Sequence, residues 1–239
     1  MPLLSKLLLK IAGIQHEFDG PTTPFPEALV RCQQVHGTHL IQVAGEKADE
    51  LAALKADGLV SAAKRLVGVQ TADCLPVLFA ERSGKAVAAV HAGWRGLHKG
   101  ILTRAVALFS TLGIEPDQLV AAIGPAIGPC CFEVSQDIVD SFEKDWGQLW
   151  KPGNRPWQKS QPPGTIAARS PAPASANDLW LDLETIARLQ LASMGIPDKQ
   201  IEDVGACTYC GPGGLASYRR GTHEKTSAGR QWSWIGKTS

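Results

Sequence analysis

Two histidines and one cysteine stand where apolar runs of the sequence end. His36 lies in Gln-Val-His-Gly, Cys74 precedes a run of apolar residues, and His91 follows one. Loops at strand ends often carry reactive groups on a rigid frame. Two His and one Cys with an open fourth position make a catalytic zinc site, where the metal lowers the pKa of bound water to about 7. The spacings, 38 and 17 residues, match no local zinc motif and also fit three unrelated loop residues.

Two charged residues lie beside these three. Asp73 directly precedes Cys74 and is interpreted either as a proton carrier or as the cap of the turn after Val69. Arg95 follows His91 by four residues, and its guanidinium can hold a phosphate through two parallel hydrogen bonds. The alternative for Arg95 is an ion pair with a carboxylate at the edge of the core.

Composition and charge exclude several classes of protein. The 239 residues carry 24 Lys and Arg against 23 Asp and Glu, so the basic excess expected of a nucleic-acid binder is absent. Lys6 and Lys10 interrupt the leucine-rich start, and no apolar run approaches the roughly 20 residues of a membrane span or forms a secretory signal. Six cysteines are too few for a disulfide scaffold. We therefore expect a cytoplasmic protein with a small-molecule substrate, no nucleic-acid or membrane partner, and a monomeric or small homo-oligomeric state.

Strand-like runs and helical patterns are interleaved along the chain. Leu97, Ile101, Ala105, Leu108 and Leu112 recur at helical spacing and predict one amphipathic helix of about four turns that ends at Gly113. Further helices are predicted after Ser135 and from Leu183 to Met194. Apolar runs predict strands at Leu66 to Val69, Leu75 to Ala80, Lys85 to Val90, Leu119 to Ile123 and Ile201 to Ala206. The strands are too close together for a regular βαβ series, so the pattern predicts an α+β fold of mixed type around one core.

The chain is expected to form one domain over residues 1–239, with irregular segments near its start and after its middle. The stretch from Glu17 to Pro26 is predicted as a loop. Residues 151–177 hold six of the 16 prolines and predict a surface loop or insertion.

The remaining cysteines receive no role from the sequence. Cys207-x-x-Cys210 would need two further ligands to bind a structural zinc, and the available candidates are Cys32 and the adjacent pair Cys130-Cys131. Because neighbouring cysteines seldom bind one ion together, the sequence does not favour a second metal site.

Five motifs resemble, in order, those of one protein family. They are QVHG at 34–37, ADCLPV at 72–77, HAGWRG at 91–96, IGPAIGPCCFEV at 123–134, and the late Cys207-Thr208 with SYRR at 217–220. The chain resembles the YfiH-type laccase-domain family, also called polyphenol oxidase-like or purine nucleoside phosphorylase-like. The resemblance runs from about residue 31 to the C-terminus. Family members usually carry a longer N-terminal part with GGVS- and SLNLG-type segments, so residues 1–30 are a shortened version and the inherited substrate choice is left open.

The resemblance implies a fold, a metal and a class of reaction. The fold is an α+β arrangement of mixed β-sheets with flanking helices, related to cysteine-hydrolase-like toxin domains. Its metal is one zinc per chain, held by the residues that correspond to His36, Cys74 and His91. Its reactions are phosphorolysis of adenosine, inosine, guanosine and methylthioadenosine, and deamination of adenosine. For these reactions Asp73 would move protons and Arg95 would hold phosphate near the start of the helix at Leu97.

Two other activities remain open at this stage. Cys74 could act as a thiolate nucleophile with His91 as its base, hydrolysing an amide. The resemblance implies an amide of a peptidoglycan precursor as the substrate of this alternative. A polyphenol oxidase, or laccase, would need several copper ions, whereas the chain has six His, none in a His-x-His pair. A single copper on the two His and one Cys is possible. A non-catalytic binding module is the third class.

Overall fold

The structure, a computed structural model, describes residues 3–20, 24, 26–151, 153–159, 179–211 and 214–237. Its strands are β1 (Ile14–Phe18), β2 (Leu29–Val30), β3 (Ile41–Val43), β4 (Gly58–Ser61), β5 (Leu66–Thr71), β6 (Leu75–Glu81), β7 (Val87–Ala92), β8 (Leu119–Ile123), β9 (Glu133–Val134), β10 (Trp157–Gln158), β11 (Leu179–Leu181), β12 (Ile201–Asp203) and β13 (Gln231–Lys237). Its α-helices are α1 (Ala48–Ala52), α2 (Trp94–His98), α3 (Ile101–Thr111), α4 (Gln136–Trp146), α5 (Leu183–Ser193) and α6 (Tyr218–Glu224).

A mixed sheet with the strand order β12-β8-β6-β7-β4-β3 forms the centre of the molecule. Strands β6, β7 and β8 pair antiparallel, whereas β12–β8 and β3–β4 pair parallel. Every residue of β6, β7 and β8 is buried, which explains their continuous runs of Val, Leu and Ala in the sequence. The sheet therefore has both faces covered.

The two faces of this sheet pack in two different hydrophobic clusters. Alternate residues of β6, such as Val77 and Phe79, pack with α3 and α5 in one hydrophobic cluster. Their neighbours Leu78 and Ala80 pack in a second cluster with Val67 and Ile235 of the sheet β1-β13-β5-β2. Helices, central sheet and second sheet thus form successive layers, and the predicted α+β architecture of mixed sheets with flanking helices is confirmed.

Some predicted elements differ in detail. The single helix expected from Leu97 to Leu112 is two helices, α2 and α3, because Gly100 between them adopts a left-handed conformation with φ of 78°. Helical spacing of the apolar residues continues across this break, so the periodicity does not show it. The helix start expected at Leu97 is wrong, and α2, which begins at Trp94, has only five residues. The structure therefore provides no helix N-terminus for an anion at Leu97.

The two segments predicted as loops contain strands. β1 extends into the stretch predicted as a loop from Glu17, and it pairs with the C-terminal β13, which the sequence did not suggest. β10 lies inside the proline-rich segment and pairs with β11. The remainder of that segment, residues 160–178, lies outside the described residues. Among the described helices, none is both long enough and apolar enough to cross a membrane.

Candidate metal centre

The pairing of three strands brings the central residues of the site together. In the antiparallel pair of β4 and β7, Gly58 faces Val90, and one residue further the N–H of His91 donates to the carbonyl of Asp57 over 2.7 Å. In the pair of β6 and β7, Leu75 faces Ala92. The same register continued by one residue sets Cys74 opposite Gly93. His91 itself faces Pro76, and Cys74 lies two residues before Pro76 on the same face, so the side chain of His91 lies between those of Asp57 and Cys74.

The carboxylate of Asp57 organises both His91 and the loop that carries His36. Its Oδ1 accepts hydrogen bonds from Nδ1 of His91 at 2.8 Å and from the N–H groups of Val35 at 3.1 Å and His36 at 2.8 Å. Its Oδ2 accepts from the N–H of Gly37 at 2.6 Å. His36 has a left-handed backbone with φ of 58°, which is unfavourable for a residue with a side chain. Asp57 supplies the contacts that hold this conformation.

His36, Cys74 and His91 form a compact set of potential metal ligands. Their ligand atoms all lie within 4.8 Å of one another, and the two imidazole rings meet edge to face with centroids 4.8 Å apart. Because Nδ1 of His91 bonds to Asp57, its Nε2 is the nitrogen left to bind a metal. His91 is buried and His36 is exposed, so the set is open to solvent on the His36 side. The set thus offers three potential ligands and one open side, which is the number of protein ligands in catalytic zinc sites.

Gly93 keeps the space between these ligands free. A Cβ at this position would stand 3.0 Å from Sγ of Cys74 and 3.3 Å from Cδ2 of His36. The chain therefore leaves room where a metal would sit, and the three residues fit a metal ion.

Electrostatics of the site favour a charged pair when no metal is bound. Burial raises the pKa of the Cys74 thiol, but hydrogen bonds with His36 and His91 outweigh it and bring the pKa from 9.0 to about 7. Burial lowers the pKa of His91, but hydrogen bonds to Asp57 and Cys74 outweigh it and raise the pKa to about 9. For Asp57, burial acts to raise the pKa, and the bonds from His91 and the backbone leave it below its ordinary value. At neutral pH Cys74 and His91 thus approach a thiolate–imidazolium pair.

Asp73 connects the Cys74 turn to the C-terminal part of the chain. Its backbone is left-handed, with φ of 85°. Its Oδ1 accepts from Oγ1 of Thr208 at 2.6 Å, and its Oδ2 accepts from the N–H of Arg219 at 2.7 Å. The N–H of Ile127 donates to the Asp73 carbonyl at 3.0 Å. Both side-chain oxygens are therefore occupied by bonds that hold neighbouring segments, and proton transfer by Asp73 stays a prediction.

Two further features involve residues close in sequence to the three candidate ligands: the exposed side chain of Arg95, and a cavity at Ala72 that the exposed Tyr218 also lines. Arg95 is exposed, and its guanidinium stands 4.4 Å from the centroid of the Trp94 ring. A cavity of about 440 Å³ is lined by residues that include Gln70, Ala72 and Tyr218. Ala72 is two residues from Cys74, and the Tyr218 side chain is 66% exposed. The volume lies within the range of small-molecule sites.

The four cysteines without a predicted role come together in space. The sulfur atoms of Cys130, Cys131, Cys207 and Cys210 all lie within 4.8 Å of one another. In the described part of the chain, this set and the one at His36 are the groups of His, Cys, Asp or Glu that could hold a metal. The sequence did not favour a second metal site at Cys207-x-x-Cys210 and the adjacent pair Cys130-Cys131, whereas the structure brings all four sulfur atoms together.

Comparison with known proteins agrees with these motifs. Residues 21–238 match the family model described as multi-copper polyphenol oxidoreductase laccase. The chain belongs to this laccase family. The sequence resemblance to YfiH-type proteins is thereby confirmed.

Relatives within the laccase family carry names from nucleoside metabolism. Purine nucleoside phosphorylase YfiH of Shigella flexneri is 37% identical over 212 residues, which cover 88% of this chain and 74% of that protein. The crystal structure of YlmD from Geobacillus stearothermophilus superposes with a TM-score of 0.73 at 33% identity, covering 89% of this chain and 74% of YlmD. A protein named adenosine deaminase RL5, from an unknown prokaryotic organism, is 32% identical over 69% of this chain and 56% of its own length.

Sequence reasoning missed Asp57, although it identified the three candidate ligands that lie around it. Asp57-Gly58 reads as a turn signal, because Asp-Gly is typical of turns. In this laccase-family chain Gly58 instead begins a strand, and a Cβ there would stand 2.9 Å from the carbonyl oxygen of Ala89. Gly58 permits close packing of β4 against β7, and the side chain of Asp57 before it forms hydrogen bonds within the site.

Proposed function

We propose that this protein is a zinc-dependent enzyme that acts on purine nucleosides, with the metal held by His36, Cys74 and His91. One observation carries the proposal: three ligand atoms within 4.8 Å of one another, with the second nitrogen of the buried histidine held by a carboxylate. A carboxylate behind a histidine ligand fixes its tautomer and strengthens its binding to metal. The names of the relatives supply the substrate class.

Each residue of the chain has a definite task in this proposal. A zinc ion on three protein ligands would supply a Lewis acid and activate water near neutral pH. Asp57 holds the proton on Nδ1 of His91, so that Nε2 is the nitrogen directed at the metal position and would give up its own proton when a metal binds. Cys74 requires little further acidification to bind as a thiolate, because its pKa is about 7. The turn at Asp73 holds Cys74 in place through Thr208 and Arg219.

Phosphorolysis and deamination would use different groups around the same centre. Phosphorolysis requires an anion site for phosphate, and the exposed guanidinium of Arg95, four residues after His91, is the cation that we assign to it. Both reactions require a place for the purine. The exposed ring of Tyr218 at the 440 Å³ cavity offers a stacking surface of the kind that bases prefer.

A product analysis tests the proposal directly. The purified protein is incubated with adenosine, with and without phosphate, and the products are separated by chromatography. Adenine with ribose 1-phosphate indicates phosphorolysis, and inosine indicates deamination. Cys74→Ala is expected to abolish either reaction and to remove one zinc per chain, whereas Cys32→Ala changes a buried cysteine outside the site and should do neither. Unchanged adenosine under both conditions would refute the nucleoside proposal.

A second candidate, amide hydrolysis by Cys74, is favoured by the hydrogen bonds of the site. Cys74 would be the nucleophile, His91 its base, and Asp57 the carboxylate that orients the base. Each is hydrogen-bonded to the next, as in cysteine hydrolases. The substrate would be an amide of a peptidoglycan precursor. Metal-free protein that a thiol reagent inactivates, and that cleaves such an amide, would favour this candidate over the zinc enzyme.

Polyphenol oxidation is the weakest of the three candidates. A laccase oxidises its substrate with several copper ions on many imidazoles. The chain contains six histidines, and two of them, His36 and His91, lie in the described ligand sets. We therefore expect at most one copper to compete with zinc at this centre.

A further inference from the structure

We propose that Cys130, Cys131, Cys207 and Cys210 bind a second zinc ion, which has a structural role and is separate from the ion at His36, Cys74 and His91. The four sulfur atoms lie within 4.8 Å of one another, and Sγ of Cys130 is 3.5 Å from Sγ of Cys210. With Zn–S bonds of about 2.3 Å, tetrahedral geometry places the sulfurs about 3.8 Å apart. The 3.5 Å between the sulfurs of Cys130 and Cys210 is close to this value, and no two of the four sulfurs are more than 4.8 Å apart. A disulfide needs about 2.05 Å.

The local backbone presents each pair of cysteines to one point. Cys130 and Cys131 lie in a turn in which the N–H groups of Cys131 and Phe132 both donate to the carbonyl of Gly128, at 2.9 Å. In an extended strand adjacent side chains point to opposite sides, whereas in such a turn both can face the same ion. This turn removes the objection that adjacent cysteines do not share a metal.

Backbone hydrogen bonds hold the Cys207–Cys210 segment in a tight loop. The N–H of Gly128 donates to Sγ of Cys207 at 3.3 Å, and the N–H of Gly211 donates to the Cys207 carbonyl at 2.8 Å. A Cβ on Gly211 would stand 2.3 Å from that carbonyl oxygen, so the tight loop requires glycine directly after Cys210.

Positive charge lies beside the four thiols. Nη1 of Arg220 donates to the carbonyls of Thr208 at 3.1 Å and Tyr209 at 2.6 Å, the two residues between Cys207 and Cys210. A zinc ion on four thiolates carries a net negative charge, so a guanidinium on its loop is stabilising. The same contact fixes the loop that two of the four ligands occupy.

The site would connect two segments that are about 80 residues apart in the chain. One segment, 126–131, donates to the carbonyl of Asp73 through Ile127. The other bonds to the Asp73 carboxylate through Thr208. Both segments thus hold the turn that presents Cys74. The zinc on the four cysteines would therefore be a positioning element for the centre at Cys74, at a distance and without contact with substrate.

Metal analysis in a Cys74→Ala background tests this inference independently of the proposed function. Protein is purified under reducing conditions without added metal, and zinc is measured by mass spectrometry. We expect one zinc per chain in Cys74→Ala, none when Cys130→Ser and Cys210→Ser are added, and one when Cys32→Ser is added instead. Zinc absent from Cys74→Ala, a different metal such as iron in its place, or a disulfide among the four residues would each overturn the inference.

A second measurement keeps the inference testable if the serine variants do not fold. The Cys74→Ala protein is loaded with Co²⁺ in place of zinc, and its visible spectrum is recorded. Four thiolates in a tetrahedron are expected to give strong thiolate-to-cobalt charge transfer and intense visible bands. Titration with an organomercurial should release the metal in step with modification of four thiols. A Co²⁺ spectrum without thiolate charge transfer would contradict the proposed ligands.

Discussion

Replacing Asp57 by Asn should lower both the metal affinity of the candidate centre and the stability of the metal-free protein. Asn has the same shape as Asp but only one acceptor oxygen. With that oxygen in the Oδ1 position, it still accepts from Val35, His36 and His91, and its NH2 group then faces the N–H of Gly37 across 2.6 Å. The opposite orientation sets three donors against the NH2 group and is worse.

The expected magnitudes follow from these contacts. Leaving one buried donor unsatisfied costs about 1–3 kcal/mol, so the free energy of unfolding of the metal-free protein should fall by that amount. The bond to His91 changes from a charge-assisted to a neutral one, which is roughly half as strong. Loss of such a partner behind a ligand typically lowers metal affinity about 10- to 100-fold, equivalent to about 1.4–2.7 kcal/mol.

Glu81 offers a matched control, because it lies at the far end of the strand that follows Cys74. Glu81 is buried at the end of β6, roughly 20 Å from Cys74, and its Oε2 accepts from Ser83 and Lys85. Glu81→Gln should lower the free energy of unfolding in urea but leave the zinc affinity, measured by chelator competition, unchanged. An Asp57→Asn protein that binds zinc as tightly as the native chain would refute the reasoning about Asp57.

Three further predictions concern the substrate groups and the pH dependence of stability. Tyr218→Ala should lower kcat/KM for adenosine about 5- to 150-fold, because base stacking contributes about 1–3 kcal/mol, while Tyr218→Phe should not. Arg95→Gln should raise the KM for phosphate about 10- to 100-fold by loss of charged hydrogen bonds, without effect on deamination. Lys99→Gln, directly after the same helix, is the exposed control. Burial lowers the pKa of His16 from 6.5 to about 4. Between these two pKa values the unfolded chain binds a proton at His16 that the folded chain does not. The free energy of unfolding should therefore fall by at most about 1.4 kcal/mol per pH unit as the pH decreases. Urea titrations of His16→Gln should show a smaller dependence on pH.

Two of the three candidate ligands, Cys74 and His91, could be predicted from the sequence because each stands at an end of a buried run, whereas His36 lies in an exposed loop. Cys74 directly precedes β6, and His91 lies near the end of β7. Continuous apolar runs identify such strands, and polar residues at their ends are conspicuous. Asp57 was hidden because Asp-Gly is also a turn pattern, and only the packing of Gly58 against Ala89 distinguishes the two.

Other features depend on contacts between distant parts of the chain. The break between α2 and α3 at Gly100 is invisible because the apolar spacing continues across it. Strand β1 pairs with β13 more than 200 residues later, and no local pattern specifies such a partner. The convergence of Cys130 with Cys210 depends in the same way on how the segments pack.

The position of His91 between two paired strands limits how the gene for such a protein can vary in length. Its neighbours Asp57 and Cys74 are set by the registers of β4 with β7 and of β6 with β7. Because side chains alternate between faces, a one-residue deletion within β7 would turn His91 away from both partners. Insertions and deletions in these strands should therefore abolish the arrangement of Asp57, Cys74 and His91 even when the sheet itself still forms. Tolerated length changes are expected in the connections beyond β4, β6 and β7.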